Sequence, residues 1–185
     1  MKIHYETDRF ILRDFEAQDS KGIFALDSDP LVHKYLGNNP LTHISQAEDV
    51  IAMIQAQYEK NGIGRWAVIE KDTGEFMGWS GLKYEENLRS EFTYYDLGFR
   101  FKPKFWGKGL ATETALLSLK HGFDVMGLDT ICAAADVENL ASNAVIKKVG
   151  LQFKELFYYE GIPVNWFELK RVNWSSENVV TNPRK

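Results

Sequence analysis

The sequence predicts an α/β fold, a mixed sheet with helices on its faces. Three observations carry this. Strand-like and helix-like segments alternate along the chain, and two strand–helix–strand units follow one another in its second half. No Pro/Gly/Ser-rich linker interrupts the middle. At 185 residues, 44% of them apolar, the chain has the length and the core material of one domain.

The elements follow in order. Phe10-Ile11-Leu12-Arg13 reads as a short strand. A helix runs from Ala17 to about Leu26 and stops before Asp29-Pro30. In the next helix Ala47, Val50, Ile51, Ile54 and Tyr58 recur at helical spacing, Ser45 and Glu48 are placed as a capping box, and Asn61-Gly62 is the stop. Strands at Arg65–Glu70 and Phe76–Tyr84 flank the turn Lys71-Asp72-Thr73-Gly74. Phe92–Phe101 is another strand, interrupted by Gly98, where a bulge or a close approach is expected. After the turn Trp106-Gly107-Lys108-Gly109 a helix extends to about Phe123, with Ala115, Leu116 and Leu119 on its buried side. Thr130–Ala135 is an apolar strand, Asn139 caps a helix ending at Gly150, and Leu151–Tyr159 pairs with Val164–Arg171 as a hairpin. The domain spans residues 1–174, and residues 175–185 form a polar tail.

Composition excludes several functions. One cysteine, Cys132, permits no internal disulfide and no cysteine-based zinc site. His4, His33, His43 and His121 share no metal-ligand spacing, so no metal is expected. A net charge of −4 gives no broad footprint for nucleic acid or an anionic membrane. No signal-peptide pattern and no run of 18 apolar residues occurs, so a cytoplasmic protein is expected and Asn173-Trp174-Ser175 is read as a chance sequon.

The segment from Phe99-Arg100-Phe101 through Trp106-Gly107-Lys108-Gly109-Leu110-Ala111-Thr112 carries the most chemistry. A strand enters a two-glycine turn that opens a helix. Unpaired N–H groups and the positive end of the helix dipole can cradle a pyrophosphate there. It is not a Walker A loop, because Gly109 rather than Ser or Thr follows Lys108. It is not the dinucleotide fingerprint either, because Thr112 stands where a third glycine is needed. From these residues alone, a cradle and a purely structural turn stay equally open.

With its flanking segments the chain resembles the GNAT superfamily of acetyl-CoA-dependent N-acetyltransferases, and within it the RimJ/RimL-like branch that acetylates ribosomal-protein N-termini. Four stretches carry the resemblance: Thr7–Arg13, Asp29–Gly37, Tyr95–Phe101 with Trp106–Glu113, and Asn139–Ser142 with Lys148–Leu151. The resemblance implies a mixed, mostly antiparallel sheet with splayed central strands. It implies that acetyl-CoA is held by the backbone from Gly107 to Thr112, including Lys108, Gly109, Leu110 and Ala111. The pantetheine arm would pair with Phe99, Arg100 and Phe101, and the side chain of Asn139 would also contact it. Trp106 departs from the superfamily pattern, which has Gln or Arg at that position, and this puts one side-chain phosphate contact in doubt.

Transfer needs a neutral amine to attack the thioester and a proton for the departing thiolate. An α-amino group is roughly 10–15% neutral at pH 7, far more than a lysine. The tyrosine acid of many GNAT enzymes is replaced here by Ile146. Ser142 matches the serine that the ribosomal branch places near the CoA sulfur; helix capping is its other reading. Asp96 is the first candidate base, and a solvent-facing carboxylate is its other reading; Glu138 and Glu160 are weaker candidates. Of Trp66, Trp79, Tyr84, Tyr94 and Tyr95 on the central strands most are expected in the core, and the resemblance implies that some line an acceptor pocket with Tyr35 and Asn38. The expected activity is acetylation of a protein α-amine, by a monomer or homodimer. Acetylation of a small-molecule amine and non-catalytic acyl-CoA sensing are the alternatives.

Overall fold

A computed structural model describes residues 2–176. Eight strands form one sheet: β1 (Ile3–Glu6), β2 (Phe10–Arg13), β3 (Arg65–Glu70), β4 (Phe76–Glu85), β5 (Tyr94–Phe101), β6 (Thr130–Asp136), β7 (Gln152–Tyr159) and β8 (Ile162–Lys170). Their order across the sheet is β1-β2-β3-β4-β5-β6-β8-β7. Every neighbouring pair is antiparallel except β5 and β6. That exception follows from the connection, because a helical crossover returns the chain to the same end of the sheet. The helices are α1 (Ser20–Asp27), α2 (Pro30–His33), α3 (Ile44–Asn61), α4 (Leu110–Lys120) and α5 (Leu140–Lys148).

Side-chain alternation sorts the core into two layers. Leu12, Trp66, Val68, Leu82, Leu97 and Ile131 point to one face, where Leu110, Leu119 and Phe123 of α4 and its extension, and Ile146 of α5, pack on them. Ala67, Ile69, Phe76 and Trp79 point to the other, under Ile23 and Leu26 of α1 and Ile51 and Ile54 of α3. On that second face, over β6 and β8, Tyr94, Cys132 and Trp166 form a smaller cluster with Leu88 of the β4–β5 connection.

Several boundaries differ from the sequence reading. β1 and α2 are additional elements. Asp29-Pro30 ends one helix and also starts another. Asp29 Oδ1 accepts from Leu31 N at 2.9 Å, and proline suits the first position of a helix because its missing N–H has no partner there anyway. The cap of α3 lies two residues before the predicted box: Gln46 Oε1 accepts from the backbone N–H groups of Thr42 and His43, leaving Ser45 and Glu48 inside the helix. α4 continues past Lys120 as a π turn, His121–Val125. Gly98 sits in no bulge, since the β4–β5 register is unbroken from Gly78↔Phe101 to Glu85↔Tyr94. The glycine leaves room for a side chain: a Cβ there would lie 2.6 Å from Arg65 Nη2. Of the expected tail 175–185, residues 177–185 fall outside the described residues; Trp174, the last residue of the expected domain, is docked, its indole N–H donating to Asp124 Oδ1 at 3.0 Å.

Candidate active site

The glycine turn has the geometry an anion cradle requires. Gly107 (φ 72°) and Gly109 (φ 78°) are both left-handed, a conformation that favours glycine. Both face open space, since a Cβ at either position would meet no heavy atom within 4 Å. Gly109 caps α4 without a side-chain bond. The helix's first backbone bond runs from Glu113 N to Gly109 O at 3.0 Å, so the N–H groups of Leu110, Ala111 and Thr112 have no acceptor within the helix. Trp106 supplies no polar group to this space, because its indole N–H donates to Phe101 O at 2.7 Å and ties the turn to β5. Lys108 lies with Nζ 5.4 Å from the Phe105 ring centre. Arg9 holds the turn from behind, donating to Lys108 O at 2.8 Å and to Glu113 Oε2 at 3.0 Å. In the sequence Arg9 stands out only as part of the Thr7–Arg13 stretch. Its role depends on a contact 99 residues away in the chain.

Beside the turn the sheet opens. β5 and β6 share one bridge, Asp96↔Cys132. Beyond it, residues 97–101 pair only with β4, and residues 133–136 only with β8. Phe99, Arg100 and Phe101 therefore edge a slot that starts at Asp96 and runs toward the glycine turn.

α5 starts at the far side of this slot. Asn139 Oδ1 accepts from Ser142 N at 3.1 Å, so Asn139 is the cap. The Ser142 hydroxyl, half-buried, has no hydrogen bond among the described residues; the capping role considered for it belongs to Asn139. Asn143, which no local sequence signal marks, fixes this helix start. Its Nδ2 donates to Asp136 O and Asn139 O, both at 2.8 Å, and its Oδ1 accepts from Asn165 Nδ2 at 2.8 Å.

Asp96 does not face open solvent; it is ion-paired with Arg65. Arg65 also donates to the carbonyls of Gly81 and Asp96 and lies over Trp79, 5.3 Å from its ring centre. Burial raises the Asp96 carboxyl above the usual carboxylate range, and Arg65 opposes that shift. Trp79 carries Arg100 at 5.0 Å, and Arg100 Nη1 donates to the buried Asp27 Oδ1 at 2.7 Å. Neither ring nitrogen of buried His33 has a hydrogen-bond partner among the described residues, and Nε2 lies 3.9 Å from Asp27 Oδ1. Burial, aided by Arg100, lowers its pKa, which favours the neutral ring. Cys132 is buried, and that burial pushes its thiol up to about 12. His121 packs edge-on against Trp66 at 5.0 Å and is held neutral, its pKa brought down to about 4 chiefly by burial. Among the described residues, no group of three or more His, Cys, Asp or Glu could hold a metal ion.

On the other side of the Asp96–Cys132 bridge lies a cavity of about 410 Å³, lined by Tyr84, Phe92, Thr93, Tyr94, Tyr95, Thr130, Cys132 and Glu168. Three of the five aromatic residues singled out from the sequence therefore line one space. Tyr35 and Asn38 are not among its walls; they lie in the connection after α2, where Asn38 is left-handed (φ 50°). A wider depression of about 950 Å³, between the β2–α1 connection and α3, adjoins neither the slot nor the turn.

An open slot between parallel strands thus ends at a glycine turn on a helix start. In comparison with known proteins, the Acetyltransferase (GNAT) domain matches residues 9–152, and the chain belongs to that family. It is an N-acetyltransferase with acetyl-CoA as co-substrate. The uncharacterized N-acetyltransferase YoaA of Bacillus subtilis is 34% identical over 163 residues, 85% of this chain and 90% of that protein. The spermidine N(1)-acetyltransferase of Escherichia coli K12 is 28% identical, over 80% of this chain and 76% of that one. Among solved structures, the spermidine N-acetyltransferase of Vibrio cholerae in complex with CoA and spermine superposes with a TM-score of 0.71 at 18% identity, covering 89% of this chain and 96% of that one. The ribosomal-protein-S5-alanine acetyltransferase of Vibrio fischeri superposes with a TM-score of 0.72 at 15% identity, covering 95% of this chain and all of that one. At such identities the two structures share the fold alone, so the expected ribosomal-protein branch does not follow from them.

Proposed function

We propose that this enzyme acetylates a small primary amine by direct attack within a ternary complex. The observation that carries this reading is the cavity behind the Asp96–Cys132 bridge. At about 410 Å³ it lies near the lower end of the range for ligand pockets, about 300–1,000 Å³, a size suited to a small molecule. The name of the Escherichia coli relative supports an acceptor of this kind. A protein α-amine, the first expectation from sequence, is the competing acceptor.

In this reading the N–H groups of Gly107 to Thr112 hold the pyrophosphate and the slot takes the pantetheine arm along Phe99 to Phe101. Asn139 flanks the arm. The amine nitrogen attacks the thioester carbonyl carbon, the carbon–sulfur bond breaks, and the amine's proton passes to Asp96 as general base. Arg65 is a positioning residue, holding the Asp96 carboxylate. The Ser142 hydroxyl gives its proton to the departing thiolate and regains one from solvent.

The test is a screen of small amines and N-terminal peptides with acetyl-CoA, following CoA release. Saturating acetyl-CoA, at about 100 times its dissociation constant, adds about 2.7 kcal/mol of stability, a melting shift of roughly 5–10 °C. ATP stabilising the protein more than acetyl-CoA would overturn the cradle. Turnover of peptides and no small amine would overturn the acceptor, and no turnover at all would favour the sensor.

A further inference from the structure

Resting on the acetyl-transfer reading above, we infer that the acceptor carries a second, cationic group and that the cavity holds it between aromatic walls and the Glu168 carboxylate. Four of the eight lining residues are aromatic: Tyr84, Phe92, Tyr94 and Tyr95. Rings of this kind attract an ammonium through their negative faces. The lining includes one carboxylate, Glu168, and no Lys or Arg. Glu168 Oε1 accepts from Trp166 Nε1 at 3.0 Å, which fixes the side chain, and Glu168 forms no ion pair among the described residues.

Neighbouring carboxylates are already compensated. Glu85 is paired with Lys83, Asp96 with Arg65, and Glu155 with Arg89. The buried Tyr94 hydroxyl has no partner among the described residues, a polar group in this wall left unsatisfied by them. Phe92 (43% exposed) and Thr93 are open to solvent, and Tyr84 Oη and Thr93 Oγ1 are 2.6 Å apart.

The cavity also has the right position. Cys132 lines it and is the direct partner of Asp96, where the slot begins. Glu168 is the register partner of Cys132 on β8. A short chain with an amine at each end can therefore place one against Glu168 while the other reaches the Asp96 end of the slot. At neutral pH the amine against Glu168 stays protonated, as a lysine-like group does, and only the reacting amine loses its proton.

The experiment compares 1,4-diaminobutane with 1-aminobutane, each with acetyl-CoA. The expected result is a kcat/KM about ten- to a hundredfold higher for the diamine, expressed mainly in KM. Glu168→Gln keeps the carbonyl that accepts from Trp166 and should collapse that preference by at least about tenfold, whereas Glu168→Asp should retain part of it. Thr130→Lys, which brings a fixed ammonium into the cavity, should also abolish the preference, and serves if Glu168→Gln does not fold. Equal kcat/KM for the two amines in the wild type overturns the inference and leaves acetyl transfer standing. So does a preference that survives both Glu168→Gln and Thr130→Lys, or preferential turnover of peptides. Absence of turnover with every amine, while acetyl-CoA still raises the melting temperature, overturns the underlying reading as well.

Discussion

Substituting Ser142 and Asn139 separately divides helix capping from proton donation. Asn139 Oδ1 accepts the Ser142 N–H at 3.1 Å, and the Ser142 hydroxyl has no bond of its own among the described residues. Asn139→Ala therefore removes the cap, at about 0.5–2 kcal/mol. For a domain of this size each kcal/mol moves Tm by about 2–4 °C, so the expected loss is about 1–8 °C. Ser142→Ala keeps the backbone N–H and the cap, and its Tm should stay within about 1 °C of wild type. Its kcat should fall about ten- to a hundredfold, the weak end of general acid catalysis, because a thiol of pKa about 8.5 is already a fair leaving group. Acetyl-CoA affinity should change little, since backbone amides elsewhere hold the phosphates. Thermal melting and steady-state kinetics on the same preparations read both quantities. Unchanged kcat in Ser142→Ala removes the hydroxyl from the mechanism, and a Tm loss equal to that of Asn139→Ala refutes the division of roles.

Three further outcomes are expected. Cys132→Ala should keep most of the activity, because a thiol whose pKa burial pushes up to about 12 is not a nucleophile at neutral pH; an acetyl group found on Cys132 by mass spectrometry would require a different mechanism. Asp96→Asn should lower kcat about 10²–10⁴-fold. The base must be ionised, so wild-type kcat should fall as pH drops through the raised Asp96 pKa; an acidic limb that persists in Asp96→Asn would assign the base elsewhere. Gly98→Ala should displace the Arg65 guanidinium, 2.6 Å from the new Cβ, at an overpacking cost of about 1–3 kcal/mol, and lower Tm by about 2–12 °C; an unchanged melting curve would show that Arg65 has room to move.

The paired arginines of the second sheet face explain a choice of residue that periodicity does not. The Arg65 guanidinium occupies the space above Gly98 and donates to carbonyls of the next two strands, Gly81 O on β4 and Asp96 O on β5. A buried guanidinium is tolerable only with such a set of acceptors and a carboxylate partner. The arrangement ties β3, β4 and β5 together at the level where β5 and β6 last touch. The single bridge and the slot beyond it therefore rest on a braced strand.

The sequence by itself determined most of the elements, many of their bounds and the glycine turn, but not β1 or α2. Those features depend on neighbours along the chain: β-prone runs on either side of the Lys71–Gly74 turn in β3 and β4, helical spacing in α3, and a pair of glycines where left-handed backbone opens α4. It also placed Asn139 at a helix start, because a cap is a bond across three residues. Where two local signals competed, local reading chose wrongly: Ser45 resembles a cap, but Gln46 reaching back to Thr42 and His43 makes it. Tertiary structure alone decided which residues meet. Arg9 reaches Lys108, Arg65 fills the gap over Gly98, and Glu168 lines one cavity with Tyr84 and Tyr94. Such contacts join residues tens of positions apart in sequence. They follow from strand order and register, which the linear pattern of apolar and polar residues does not encode, because every side chain on one face of a strand shows the same alternation whatever strand lies beside it.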